Sequence, residues 1–144
     1  MMLSEIPQTT LEHLSDNVTI EWLDDHHIAV LTVRSNARSD VQIWADKNEE
    51  LIRTWREDSP YAVLHDVQYV FLSPYARERA HHITQVSKEK GAKGRYAVVV
   101  ASNVFGQTIS MFVNLKLRNK SGDGITGQCF TSREAALAWL REQF

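Results

Sequence analysis

The stretch Tyr61 to Gly91, YAVLHDVQYVFLSPYARERAHHITQVSKEKG, constrains the fold more than any other part of the chain. Tyr61 to Asp66 is a compact apolar and aromatic run without clear alternation, as in a strand covered on both faces. Ser73 and Pro74 then mark a helix start. A serine oxygen accepts an orphan backbone N–H at the N-cap, and a proline at the first helical position gives up only an N–H that had no partner. Ala76, Ala80, Ile83 and Val86 or Ser87 mark an inward face, and Gly91 is a natural stop. A buried strand followed by a helix of this length calls for a parallel neighbour, reached by a right-handed crossover.

The same grammar recurs downstream. Arg95–Val100 is the strongest buried-strand signal, with Ser102 or Asn103 placed to cap the next helix. Ile125–Phe130 reads as the last strand, and Thr131-Ser132-Arg133-Glu134 as a capping box opening a terminal helix. Upstream, Val18, Ile20 and Trp22 alternate with Thr19, Glu21 and Leu23, a polar turn Asp24-Asp25-His26-His27 follows, and Ile28–Val33 completes a hairpin. Ser39 or Asp40 is the expected cap of a helix over 40–57, whose buried face carries Trp44, Asn48, Leu51, Ile52 and Trp55. That helix ends before Ser59-Pro60, because proline cannot continue it. The order is β-β-α-β-α-β-α-β-α: one α/β domain over 17–144 with a mixed, mostly parallel sheet of about five strands. Residues 1–16, with scattered Leu3, Ile6, Leu11 and Leu14, read as an arm.

At 144 residues the chain is long enough for one sizeable core. Hydrophobic residues at 43% and charged residues at 24% place it among ordinary folded domains. A net charge of -2 lacks the basic field that nucleic-acid binding draws on, so no nucleic-acid partner is expected. Cys129 stands alone, unable to form an internal disulfide or a cysteine metal cage, which suits a reducing cytoplasm. No apolar run reaches the roughly 18 residues of a membrane span.

Candidate chemistry is sparse. Adjacent His26 and His27 point apart in a turn, and His81 and His82 lack the i, i+4 spacing of a ligand pair, so no metal or cofactor is expected. His65 lies at the carboxyl end of its strand, where ligands bind in α/β sheets, but the sequence places no nucleophile beside it. The chain therefore reads as non-catalytic. Ser73 sits at a helix N-terminus that favours an anion, with Arg77 and Arg79 within two turns; Ser102 and Asn103 occupy the equivalent place one unit later. Lys88, Lys90, Lys93 and Arg95 read as a solvated helix end, and Trp44 and Trp55 as core. Val104, Phe105, Met111, Phe112 and Leu115 carry apolar character well round the third helix. Such a face suits a protein partner or second subunit, a lid over a small apolar or anionic ligand, or a neighbouring helix.

The strand YAVLHDV, the junction VFLSPYAR, the strand GRYAVVV and the ending TSREAALAWL together resemble the SpoIIAA-like group, which includes STAS and STAS/SEC14 domains. The resemblance implies a SpoIIAA-like fold and a regulatory or protein-interaction module. Its members are mostly not enzymes; some are anti-sigma-factor antagonists switched by phosphorylation of a serine at this junction, and others relate to lipid carriers. The antagonist junction reads Asp-Ser-Ser-Gly where this chain has Phe71-Leu72-Ser73-Pro74, so Ser73 alone carries over.

Overall fold

The run from Tyr61 to Asp66 lies where its composition places it, buried at every position between two parallel neighbours. The structure is a computed structural model and describes residues 10–118 and 124–144. In chain order these form β1 (Thr10–His13), β2 (Val18–Leu23), β3 (Ile28–Val33), α1 (Arg38–Thr54), β4 (Tyr61–Asp66), α2 (Pro74–Lys90), β5 (Gly94–Val99), α3 (Val104–Arg118), β6 (Ile125–Phe130) and α4 (Arg133–Arg141). The strands stand in sequential order across one mixed sheet. β1–β2 and β2–β3 pair antiparallel, with Ile20 opposite Leu31, and β3 through β6 pair parallel, with Leu31 beside His65 and His65 beside Val98.

Two expectations about the sheet are corrected. It has six strands among the described residues rather than about five, and its start is an antiparallel three-strand unit rather than a lone hairpin, so it is mixed rather than mostly parallel. The missed strand, β1, lies inside the stretch read as an arm. All four of its residues are exposed, so pairing of backbone groups along an edge holds it, and no buried side chain betrays it in sequence. Leu14, just beyond, packs on the core.

Two caps also differ. Neither Ser39 nor Asp40 caps α1; Ala37 occupies that position without a side-chain bond. Asp40 is used instead as a tether, accepting from Ser15 Oγ at 2.7 Å and Asn17 Nδ2 at 3.3 Å, which ties the turn before β2 to the helix. At α4 the N-cap is Ser132, whose Oγ accepts from Ala135 N at 3.1 Å, so the Thr131–Glu134 box does not form. Glu134 then stands one residue too early to reach back to the cap. The start and stop of α2 are as the sequence implies: Ser73 caps it, Pro74 opens it, and Gly91 ends it at φ 70.

Helices α1, α2 and α3 cover one face of the sheet. Helix α4 covers the other, where Ala136 and Leu140 press on Ile28, Val30, Ala62, Leu64, Ala97 and Val99. Its first turn is pinned by charge. Arg133 Nη2 donates to Asp66 Oδ2 at 3.0 Å and to Thr32 Oγ1 at 3.2 Å, while Gln68 Nε2 donates to Asp66 Oδ1 at 2.9 Å. Its last turn is held by Arg141, which pairs through two nitrogens with Asp24 at 2.8 and 3.0 Å. That clamp secures a turn in which Asp24, Asp25 and His26 all adopt left-handed backbone angles.

Candidate ligand-binding site

The three-helix face is incompletely filled. Between α1, α2, α3 and the sheet lies a cavity of about 160 Å³. Small side chains of α2, among them Ala76, Ala80 and Ser87, border it, opposite larger ones from α1 (Trp44) and α3 (Phe112). Tyr61 and His65 of β4 and Tyr96 and Val98 of β5 contribute the sheet side. Gly127 on β6 helps place Tyr96: a Cβ there would collide with the tyrosine ring, so only glycine lets the ring lie across the neighbouring strand.

Its polar chemistry centres on His65, which is 5% exposed. Trp44 Nε1–H donates to His65 Nδ1 at 3.0 Å. An indole nitrogen only donates, so Nδ1 must be bare and the ring neutral, with its proton on Nε2. Burial acts in the same direction and pushes the imidazole down to about 4. Edge-on contacts with Trp44 at 5.7 Å and Tyr96 at 6.2 Å hold the ring. Deeper in, the Tyr61 hydroxyl donates to Asn48 Oδ1 at 2.9 Å. Burial raises both phenols above their ordinary range, that of Tyr96 to about 12, so neither ionises near neutral pH.

Among the described residues no lysine or arginine borders the cavity. Arg79, expected near an anion, instead joins α2 to α1 by bonds to Asp46 at 2.7 Å and Glu49 at 3.0 Å, and it also donates to Tyr75 Oη at 3.1 Å. These partners raise its already high pKa.

The other residues singled out by sequence lie around the carboxyl end of the sheet. Ser73 Oγ accepts from Ala76 N at 3.1 Å, a plain N-cap bond, and Arg77 is exposed. Ser102 is exposed, while Asn103 Oδ1 caps α3 by accepting from Gly106 N at 3.1 Å. The Phe71 and Phe105 rings meet at 6.2 Å, which brings the two strand-to-helix junctions side by side. Asn36 fixes the first junction by donating to Phe71 O at 2.8 Å and accepting from Phe71 N at 3.2 Å. On α3 the apolar residues divide: Ile109 and Val113 are buried and Phe112 lines the cavity, whereas Val104, Phe105, Met111 and Leu115 are exposed. Among the described residues no neighbouring helix covers those four.

Sequence reasoning placed Trp44 in the core and set His65 aside. The structure makes them one hydrogen-bonded pair at the edge of a void. Only the inward facing of Trp44 was readable, from its helical spacing. Among the described residues no three His, Cys, Asp or Glu side chains group as a metal would need, and no helix is long and apolar enough to cross a membrane. Comparison of the chain with protein-family models, with curated proteins and with solved structures returns no match.

Proposed function

We propose that this chain is a non-catalytic binding module of SpoIIAA-like type that holds one small apolar molecule between its three-helix layer and the sheet. The cavity carries this reading: an apolar space containing a few polar groups, enclosed between helices and a sheet, is the usual form of a ligand site. Its size sets the scale of the guest. About 160 Å³ falls below the roughly 300–1,000 Å³ of sites for drug-sized ligands and close to the roughly 150 Å³ that accepts a benzene-sized guest. A single ring or a short chain fits; a whole lipid tail does not. Non-catalytic action is favoured because, among the described residues, the side-chain hydrogen bond of His65 comes from an indole, which is no nucleophile.

A second reading, a protein-interaction surface, is favoured by the exposed Val104, Phe105, Met111 and Leu115 near Phe71. Native mass spectrometry of freshly purified chain separates the two. The binding module predicts a small adduct released by gentle activation. A bare chain with a co-purifying protein would move the function to the α3 surface.

A further inference from the structure

The polar groups deepest in the cavity are donors. Trp44 occupies Nδ1 of His65, so the ring offers its Nε2–H, and among the described residues nothing accepts it. Among the described residues the only fully occluded polar side-chain atom without a partner is Ser59 Oγ, away from this cavity, so the imidazole N–H opens onto accessible space, and for this residue that space is the cavity. Asn48 receives the Tyr61 proton on Oδ1 and keeps its NH₂ for the same space. Asn36 is engaged with the Phe71 backbone, Ser35 Oγ with Ala37 N and Thr84 Oγ1 with Ala80 O, while the Ser87 and Tyr96 hydroxyls also border the cavity. A guest therefore meets N–H groups and hydroxyls, all able to donate, and the complement of a buried N–H is an acceptor oxygen.

Charge narrows the class further. Among the described residues no cation stands beside this space to pair a carboxylate or phosphate, and an unpaired charge away from water is strongly disfavoured. The acceptor must be uncharged.

Building on the binding reading above, we propose that the cavity selects an uncharged, ring-sized apolar molecule bearing a carbonyl oxygen, held by the Nε2–H of His65. The Trp44–His65 bond gives the site its specificity, because it holds the imidazole in the donor tautomer.

Three size-matched probes test this with the full chain: acetophenone (a ketone), cumene (its hydrocarbon counterpart) and benzoate (an anion), with dissociation constants from ligand-observed NMR. The ketone-to-hydrocarbon affinity ratio is expected to fall about tenfold in His65→Leu and to be kept in His65→Gln, whose amide can accept from Trp44 and still donate. The Nε2–H resonance of the wild-type imidazole is expected to shift with acetophenone and not with cumene, a readout that stands if the leucine variant does not fold. Both neutral probes binding with a ratio unchanged in His65→Leu, or no resonance shift with acetophenone, would overturn the His65 anchor and leave the cavity reading intact. Benzoate binding as tightly as acetophenone would overturn the uncharged class. Failure of all three to bind would remove the cavity reading itself.

Discussion

His65 and Asp66 are consecutive residues of β4, and they face opposite sides of one sheet under opposite rules. Asp66 is buried among donors: the Arg133 guanidinium and the backbone and side-chain amides of Gln68. His65 gives up its charge and keeps a single partner. The layers above them differ in the same sense. Over Asp66 one short helix presses Ala136 against a sheet face containing Ala62 and Ala97, small residues that allow close approach and leave no exposed surface at any of the three. Over His65 the alanines of α2 share a layer with Trp44, Tyr96 and Phe112, and the mixture of sizes leaves a void. One face is built to be full and anchored by charge, the other to be open and lined with neutral donors.

The anchor is where the contrast breaks most severely. Arg133→Ala strands a carboxylate whose side chain is 2% exposed, and removing one partner of a buried pair costs about 3–5 kcal/mol. Because the Arg133 side chain is itself 40% exposed, solvent shares its role and the lower end, about 3 kcal/mol, is expected. Thermal unfolding should show Tm lowered by roughly 10 °C. Arg133→Ala with Asp66→Asn should recover part of that loss. A Tm within about 2 °C of the parent would show that the Gln68 donors suffice without the cation.

How much of this was legible depends on what holds each part. β4, α2 and β6 announce themselves because their signals are local: an unbroken apolar run, Ser-Pro, a terminal glycine. β1 does not, since Thr10–His13 buries nothing and is held by backbone pairing with residues as far along as Trp22. The capping serine at α4 was misplaced by one residue because Thr131 and Ser132 are equally good caps in isolation. The site was the least legible part. A void is a sum of volumes across three helices and a sheet, and no spacing rule encodes it. Likewise, the bond between Trp44 and His65 joins residues 21 apart whose meeting depends on the completed fold.

Acid should expose the His65 side of the comparison. Its pKa is lowered in the folded chain to about 4, from an ordinary 6.5, so between those values the unfolded state binds the extra proton. Stability is therefore full above about pH 6.5 and falls as pH drops, by about 1.4 kcal/mol per unit, to a loss of roughly 2–3 kcal/mol near pH 4. Urea unfolding across this window, compared between the parent chain and His65→Gln, isolates the contribution. The two curves should diverge progressively toward neutral pH in slope, the parent rising more steeply. Parallel curves would mean that the imidazole titrates as it does in the unfolded chain. The Asp24 carboxylate, held below its ordinary range first by hydrogen bonds from Arg141, loses its contribution only at more acidic pH and does not confuse the reading.

The smallest expected effects make the sharpest comparison, since one substitution can be placed on both faces. Ala136→Leu adds three carbons where the helix already touches the sheet and nothing is exposed. Overpacking of that kind costs about 1–3 kcal/mol. Ala80→Leu adds the same atoms on α2 at the border of the cavity, where they have space to enter. Burying them there offsets the rotamer entropy they lose, so stability should stay within about 0.5 kcal/mol of the parent or rise by up to about 1 kcal/mol. Chemical unfolding of both variants measures the difference, and acetophenone binding supplies a second readout: Ala80→Leu should abolish it, while Ala136→Leu should leave it in the folded fraction. Equal destabilisation by the two leucines, with probe binding lost in neither, would mean that the three-helix face closes as tightly as the other and that the two sides of β4 differ only in charge.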